Sequence, residues 1–146
     1  MGTLSASDLK QQSFDMIKEN FPELGHYFQS LDDQLNGRDC LIHPGRLCNP
    51  EGMECPDLAV TGTPCQPFSR QRVKRSAPGS VAGHKAYDTT FKDLIAWLHA
   101  HEPKVAVVEQ VEGMDLRESA TCPTSPLDQL LGHASDHIAW PHSIQR

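Results

Sequence analysis

Cys65 is the residue of this chain best placed for chemistry, because it stands between Pro64 and Pro67 in the stretch Gly62 to Ser69, GTPCQPFS, directly after an apolar run. The two prolines fix φ around the thiol, so the loop loses little entropy on folding and presents the sulfur in one orientation. A thiol held this way can act as a covalent nucleophile once it reaches the thiolate, and a free cysteine of pKa about 8.5 needs local positive potential for that. Arg70, Arg72, Lys74 and Arg75 follow at once. They concentrate positive charge beside the thiol, and such charge is also what a phosphate backbone senses. Plainer readings stand beside these. A cysteine also serves as a small buried apolar filler, and a basic run is often only a solvated face. A thiol hydrolase would need a histidine base; His84 is available in the sequence, but nothing there orients it.

The elements that must position Cys65 are legible on both sides of it. Leu58, Ala59, Val60 and Thr61 form a short apolar, partly β-branched run between Pro56 and Gly62, the pattern of a buried parallel strand. Cys65 then lies on the loop at the carboxyl end of that strand, the edge where open α/β sheets bind ligands. From Tyr87 onward, Phe91, Leu94, Ile95 and Leu98 recur at helical spacing, and Pro103 stops the helix. Val105 to Val108 is a continuous apolar run, a second buried strand, with Glu109 at its end. A crossover helix returns the chain in the parallel direction, so Cys65 and Glu109 are expected on one edge of one sheet. A strand-end carboxylate can also be merely solvated or cap a nearby helix. Arg70 to Ala86, basic and then rich in Gly, Ser, Ala and Pro, reads as a mobile loop. Upstream, Leu9, Phe14, Met16, Ile17 and Phe21 predict a helix from Asp8 to Phe21 capped by Ser5 or Ser7.

GTPCQPFS resembles, nearly letter for letter, the GPPCQPFS signature of cytosine-5 methyltransferases, with Thr63 in place of the first proline. Glu109, Gln110 and Val111 resemble the family's ENV triplet, with Gln110 in place of asparagine. The resemblance implies an α/β fold, an incomplete Rossmann-like sheet of the S-adenosylmethionine-dependent methyltransferases. It implies DNA (cytosine-5-)-methyltransferase activity. Cys65 would add to carbon 6 of cytosine, leaving carbon 5 nucleophilic enough to take a methyl group from S-adenosylmethionine, while Glu109 contacts the pairing edge. A duplex substrate would have to flip its base into the site. Pro64, Gln66, Ser69, Arg70 and Arg72 would be the substrate-binding residues, and Arg70 to Ala86 the loop that closes over the nucleic acid. FDMIKENFPEL resembles the family's early helix, which implies a following strand that begins near His26 and includes Tyr27 and Phe28, and Gln29 to Asp33 corresponds loosely to a stretch whose acidic pair contacts the cofactor's adenine. No GxG pattern is present to cradle the methionine end of the cofactor, and the QxRxR motif has no counterpart in Ile144, Gln145 and Arg146. The resemblance thus covers roughly 13–116. We expect a partial catalytic domain over 1–117 and a polar tail over 118–146, as a fragment or shortened member of the family that a second polypeptide would complement. DNA is the expected partner, with transfer RNA as the alternative substrate. A second reading is a non-catalytic methyltransferase-like module that binds nucleic acid or a partner protein.

The 146 residues suffice for one domain with a modest core, thin at 38% hydrophobic content and 11 prolines. The formal net charge of -6 makes the basic run a local feature rather than a global one. No stretch has the apolar length of a membrane span, and the amino terminus lacks signal-peptide regions, so a soluble intracellular protein is expected, nuclear in a eukaryote and cytoplasmic in a prokaryote. Five cysteines do not suggest a disulfide framework. Cys40, Cys48, Cys55 and Cys65 with His43 contain no CxxC pair, so no metal site is expected. The eight histidines, His99, His101, His133, His137 and His142 among them, read as surface residues.

Overall fold

The computed structural model of the protein describes residues 5–48 and 55–135. They form mixed α/β structure in which short parallel strand pairs alternate with helices. The chain divides into two units, residues 1–56 and 57–146, and each has its own parallel pair. The expected single sheet is thus two short pairs. The boundary falls before the cysteine loop, and not at residue 117 as expected.

In the first unit, β1 (Ser5–Ser7) pairs with β2 (His26–Phe28) across α1 (Gln11–Asn20), in the register Ser5 to His26. Ser5 and Ser7 are therefore strand residues. The expected serine cap of α1 is absent: Lys10 stands at the N-cap with no side-chain cap, and just before the helix the Asp8 carboxylate accepts the Lys10 N–H at 2.7 Å. Tyr27 and Phe28 are fully buried, as a strand facing a core requires. The short helix α2 (Leu31–Asn36) starts at Ser30, whose Oγ accepts the Asp33 N–H at 3.0 Å. It ends at Gly37, where φ of 64° demands a residue without Cβ strain.

In the second unit, β3 (Leu58–Gly62) pairs in parallel with β4 (Val105–Glu109), so that Leu58, Val60 and Gly62 lie opposite Val105, Val107 and Glu109. Between them a π-helical turn at Thr89–Asp93 leads into α3 (Leu94–His101). Leu94, Trp97, Leu98 and His101 are buried, and the helix ends at Glu102 with φ of 41°, one residue before Pro103. The crossover is the expected one. His101 corrects its surface assignment, since its ring stacks on Trp97 with centroids 4.4 Å apart and Nδ1 donates to the Trp97 carbonyl at 2.9 Å.

Both strands were expected to be buried on two faces. Instead Leu58, Val60, Val105 and Val107 are exposed, and only the face carrying Ala59 is covered. The expected loop from Arg70 to Ala86 is a succession of hydrogen-bonded turns, among them Arg75 N–H to Arg72, Ser80 N–H to Ala77 and Tyr87 N–H to His84. The expected polar tail contains α4 (Pro126–Ser135), with Pro126, Leu130 and Ala134 buried. Leu130 closes a core with Phe68, Val81 and Met114, against which Tyr87, Phe91, Ile95, Val111 and Leu127 pack. The periodicity of so short a helix is hidden among the surrounding Thr, Ser and Pro. His137, His142 and the segment Ile144 to Arg146 lie outside the described residues. Among the described residues no helix is long and apolar enough to cross a membrane.

Candidate active site

The loop after β3 turns its cysteine outward by anchoring everything around it. Thr63, Pro67 and Phe68 are buried, whereas Cys65 and Gln66 are exposed and Pro64 and Ser69 are half-buried. The Cys65 carbonyl accepts the N–H groups of Phe68 and Ser69, both at 3.0 Å, which folds the chain back directly after the thiol. The sulfur is therefore solvent-facing on a fixed turn, and the apolar-filler reading of Cys65 does not apply.

Glu109 ends the neighbouring strand as expected. It is the cross-strand partner of Gly62, and a Cβ on Gly62 would lie 3.2 Å from a Glu109 carboxylate oxygen. The carboxylate thus leans over the start of the cysteine loop, at the carboxyl ends of both strands. The next residue fastens the two ends together. Gln110 Nε2 donates to the Thr63 carbonyl at 2.7 Å and to Thr63 Oγ1 at 2.8 Å, and Thr90 Oγ1, from the π-helical turn, donates to the same Thr63 oxygen at 2.8 Å. The two departures from the family patterns, Thr63 and Gln110, are hydrogen-bonded to each other.

Of the basic residues that follow, Arg75 corrects its assignment to the nucleic-acid-facing charge. Its guanidinium is buried and donates to the carbonyls of Phe68, Gly113, Leu116 and Arg117. Burial lowers its pKa, Glu118 opposing, yet a guanidinium starts so high that it stays charged. It ties the cysteine loop to the 3-10 turn Glu112–Asp115 behind Glu109. Arg72 is half-buried and donates to the Pro67 carbonyl at 3.1 Å and Ser80 Oγ at 3.2 Å. Arg70 is exposed and pairs with Glu112 at 3.2 Å. Arg70, Arg72, Arg75 and Arg117 line an open depression of about 340 Å³. Its rim, not the whole run, is what an anion could meet. His84, the candidate base for a hydrolase, accepts the Ala86 N–H at Nδ1 at 3.1 Å, a local turn contact.

The cofactor implied by the resemblance does not fit the described residues. The connection from β1 to α1, Asp8 to Lys10, has no glycine, and its aspartate already takes the N–H at the helix start. Asp32 pairs with Arg38 at 2.8 Å, and Asp33 takes the Ser30 hydroxyl at 2.6 Å, so the acidic pair is engaged within and beside α2.

The first unit holds a cluster that the sequence reading missed. Cys40 and Cys48 are buried, and their sulfurs face Nδ1 of His43 at 3.7 and 3.6 Å; Cys40 also faces Nδ1 of His26 at 3.8 Å. Burial and then His43 lower the His26 pKa; burial and then Cys40 raise that of Cys48. A search for CxxC pairs overlooks this set, because its local part reads Cys40-x2-His43-x4-Cys48 and its fourth member comes from β2.

Comparison of the chain with protein-family profiles, curated protein sequences and solved structures returns no match.

Proposed function

We propose that the second unit carries a cytosine-binding centre of the cytosine-5 methyltransferase type acting on DNA, with Cys65 as nucleophile and Glu109 as the acid at the pairing edge. The observation that supports it is the register of β3 and β4, which brings Glu109 beside Gly62 at the base of the Cys65 loop, with Gln110 fastened to Thr63. The thiolate adds to carbon 6, the electron pair of the carbon 5–carbon 6 double bond moves through the ring toward N3, and N3 takes a proton from solvent in contact with the Glu109 carboxylate. Carbon 5 is then an enamine carbon; it takes a proton from solvent and gives up its original hydrogen, and the thiolate leaves as N3 gives back its proton and the carbon 5–carbon 6 double bond re-forms. In the enzyme family S-adenosylmethionine supplies a methyl group at that carbon. Because the described residues offer it no cradle, the chemistry assigned to this chain's own side chains is the addition and its reversal. The rim of the arginine-lined depression, with Arg70, would meet phosphate.

The test is release of tritium from carbon 5 of cytosine in duplex DNA and, in parallel, in transfer RNA, with and without the methyl donor. Exchange that needs no methyl donor, disappears in Cys65→Ser and slows in Glu109→Gln is the expected result. Exchange that survives Cys65→Ser would show that the nucleophile is misassigned, and preference for transfer RNA would move the substrate class. A second reading, a non-catalytic module that binds nucleic acid, is favoured by the glycine-free β1–α1 connection. It predicts salt-dependent binding without exchange.

A further inference from the structure

The side chains of His26, Cys40, His43 and Cys48 place four ligand atoms within 4.8 Å of one another. We propose that they form a closed, tetrahedral zinc site that staples the 40–48 loop onto β2. The argument is geometric. A zinc ion with bonds of about 2.3 Å to sulfur and about 2.0 Å to nitrogen sets the sulfur-to-nitrogen edges of its tetrahedron at roughly 3.5 Å. Three of the four sulfur-to-nitrogen distances are 3.6, 3.7 and 3.8 Å, and all four atoms lie within 4.8 Å of one another. The donor set, two thiols and two imidazoles, is the borderline-soft combination that selects zinc over the oxygen-seeking cations.

Backbone hydrogen bonds bring these groups together. His26 opens β2, whose register is held by β1. The Leu41 N–H donates to the Tyr27 carbonyl at 2.9 Å, which lays the loop beside β2, and the Cys48 N–H donates to the Gly37 carbonyl at 2.8 Å, which returns it to the end of α2. From His43 toward Cys48 the turn His43-Pro44-Gly45-Arg46 is closed by the Arg46 N–H on the His43 carbonyl at 3.2 Å, with Gly45 at φ of 75°. Four protein ligands leave no open position, so the role is structural and no substrate reaches the ion. On binding, the two thiols release their protons to solvent and become thiolate ligands. The site is independent of the methyltransferase reading and stands or falls without it.

The experiment uses the full chain, purified with reductant and without chelator. Elemental analysis is expected to find about one zinc per chain. After chelation, cobalt(II) is expected to give the intense visible bands of tetrahedral coordination with thiolate-to-metal charge transfer, and zinc to bleach them. X-ray absorption is expected to fit two sulfur and two nitrogen neighbours. Cys40→Ser and Cys48→Ser should lose the charge-transfer band, while Cys122→Ser keeps it. Absence of zinc together with only weak octahedral cobalt bands in the wild-type protein overturns the proposal, and this measurement decides even where a variant fails to fold. A cobalt spectrum unchanged in Cys40→Ser and Cys48→Ser overturns it as well, as does a Cys40–Cys48 disulfide whose reduction restores no metal uptake.

Discussion

Thr63 and Gln110 depart from the GPPCQPFS and ENV patterns together, and their side chains meet. Asparagine at 110 would be one methylene too short to span the gap that Gln110 crosses at 2.7 and 2.8 Å, and proline at 63 would remove the hydroxyl that both Gln110 and Thr90 use. Each single change, Gln110→Asn or Thr63→Pro, therefore leaves buried polar groups unpaired and is expected to destabilise the second unit by about 1–2 kcal/mol. The double change removes both halves of the contact. Its cost should fall short of the sum by about 1 kcal/mol, a coupling that denaturant titration of the four proteins measures. Additive costs would mean that the two positions vary independently. Of the proposed substrate residues, Cys65, Gln66 and Arg70 face solvent, where a base or phosphate could reach them, whereas Arg72 is engaged by Pro67 and Ser80.

The elements that hold the cysteine loop meet at a close approach. The 3-10 turn Glu112–Asp115 lies so near the loop that a Cβ on Gly113 would collide with the Phe68 carbonyl oxygen, backbone that cannot rotate away. The Gly113 and Phe68 carbonyls also accept from Arg75, so displacement there would disturb the bonds of a buried guanidinium. Gly113→Ala is expected to cost about 1–3 kcal/mol in stability and to lower Cys65-dependent exchange with it, read by thermal unfolding and tritium release on one sample. The start of α4 carries a reciprocal cap, in which the Asp128 N–H donates to Ser125 Oγ at 3.1 Å and the Ser125 N–H to the Asp128 carboxylate at 2.8 Å. The backbone hydrogen bond from Ser125, then its hydroxyl, lower the Asp128 pKa. A carboxyl depressed on folding contributes stability above its unfolded value of about 3.9, and that contribution is lost as pH falls through the folded value. Asp128→Asn should therefore be less stable than the parent near neutral pH, and the difference should shrink in acid, as hydrogen exchange in α4 against pH would record.

Each of the two units has its own parallel pair and buried residues, so what happens to one can be read separately from the other. If zinc holds the first unit, chelation in reductant should strip hydrogen-exchange protection from the Leu41 and Cys48 amides while the amides of the β3–β4 ladder keep theirs; loss in both units together would contradict this. Much of the second unit was legible in the residues. The apolar runs before Cys65 and Glu109, the helical spacing of Leu94 and Leu98, and Pro103 specify strand, helix and strand, because backbone period and proline geometry are local properties, and a crossover makes the pair parallel. Cys65 and Glu109 at neighbouring strand ends follow from that alone. What the linear chain could not reveal is which polar groups turn inward. Four basic residues between 70 and 75 look alike in sequence, yet Arg75 alone of them is buried beneath backbone carbonyls, because only the packing of Phe68 against Met114 and Leu130 creates unsatisfied acceptors there. The exposed face of β3 and β4 was equally hidden, since an apolar run says nothing of how many layers cover it. His26 joins Cys40, His43 and Cys48 for the same reason: the fold of a loop onto a strand is a contact between distant positions, decided by packing and by which buried backbone groups find partners.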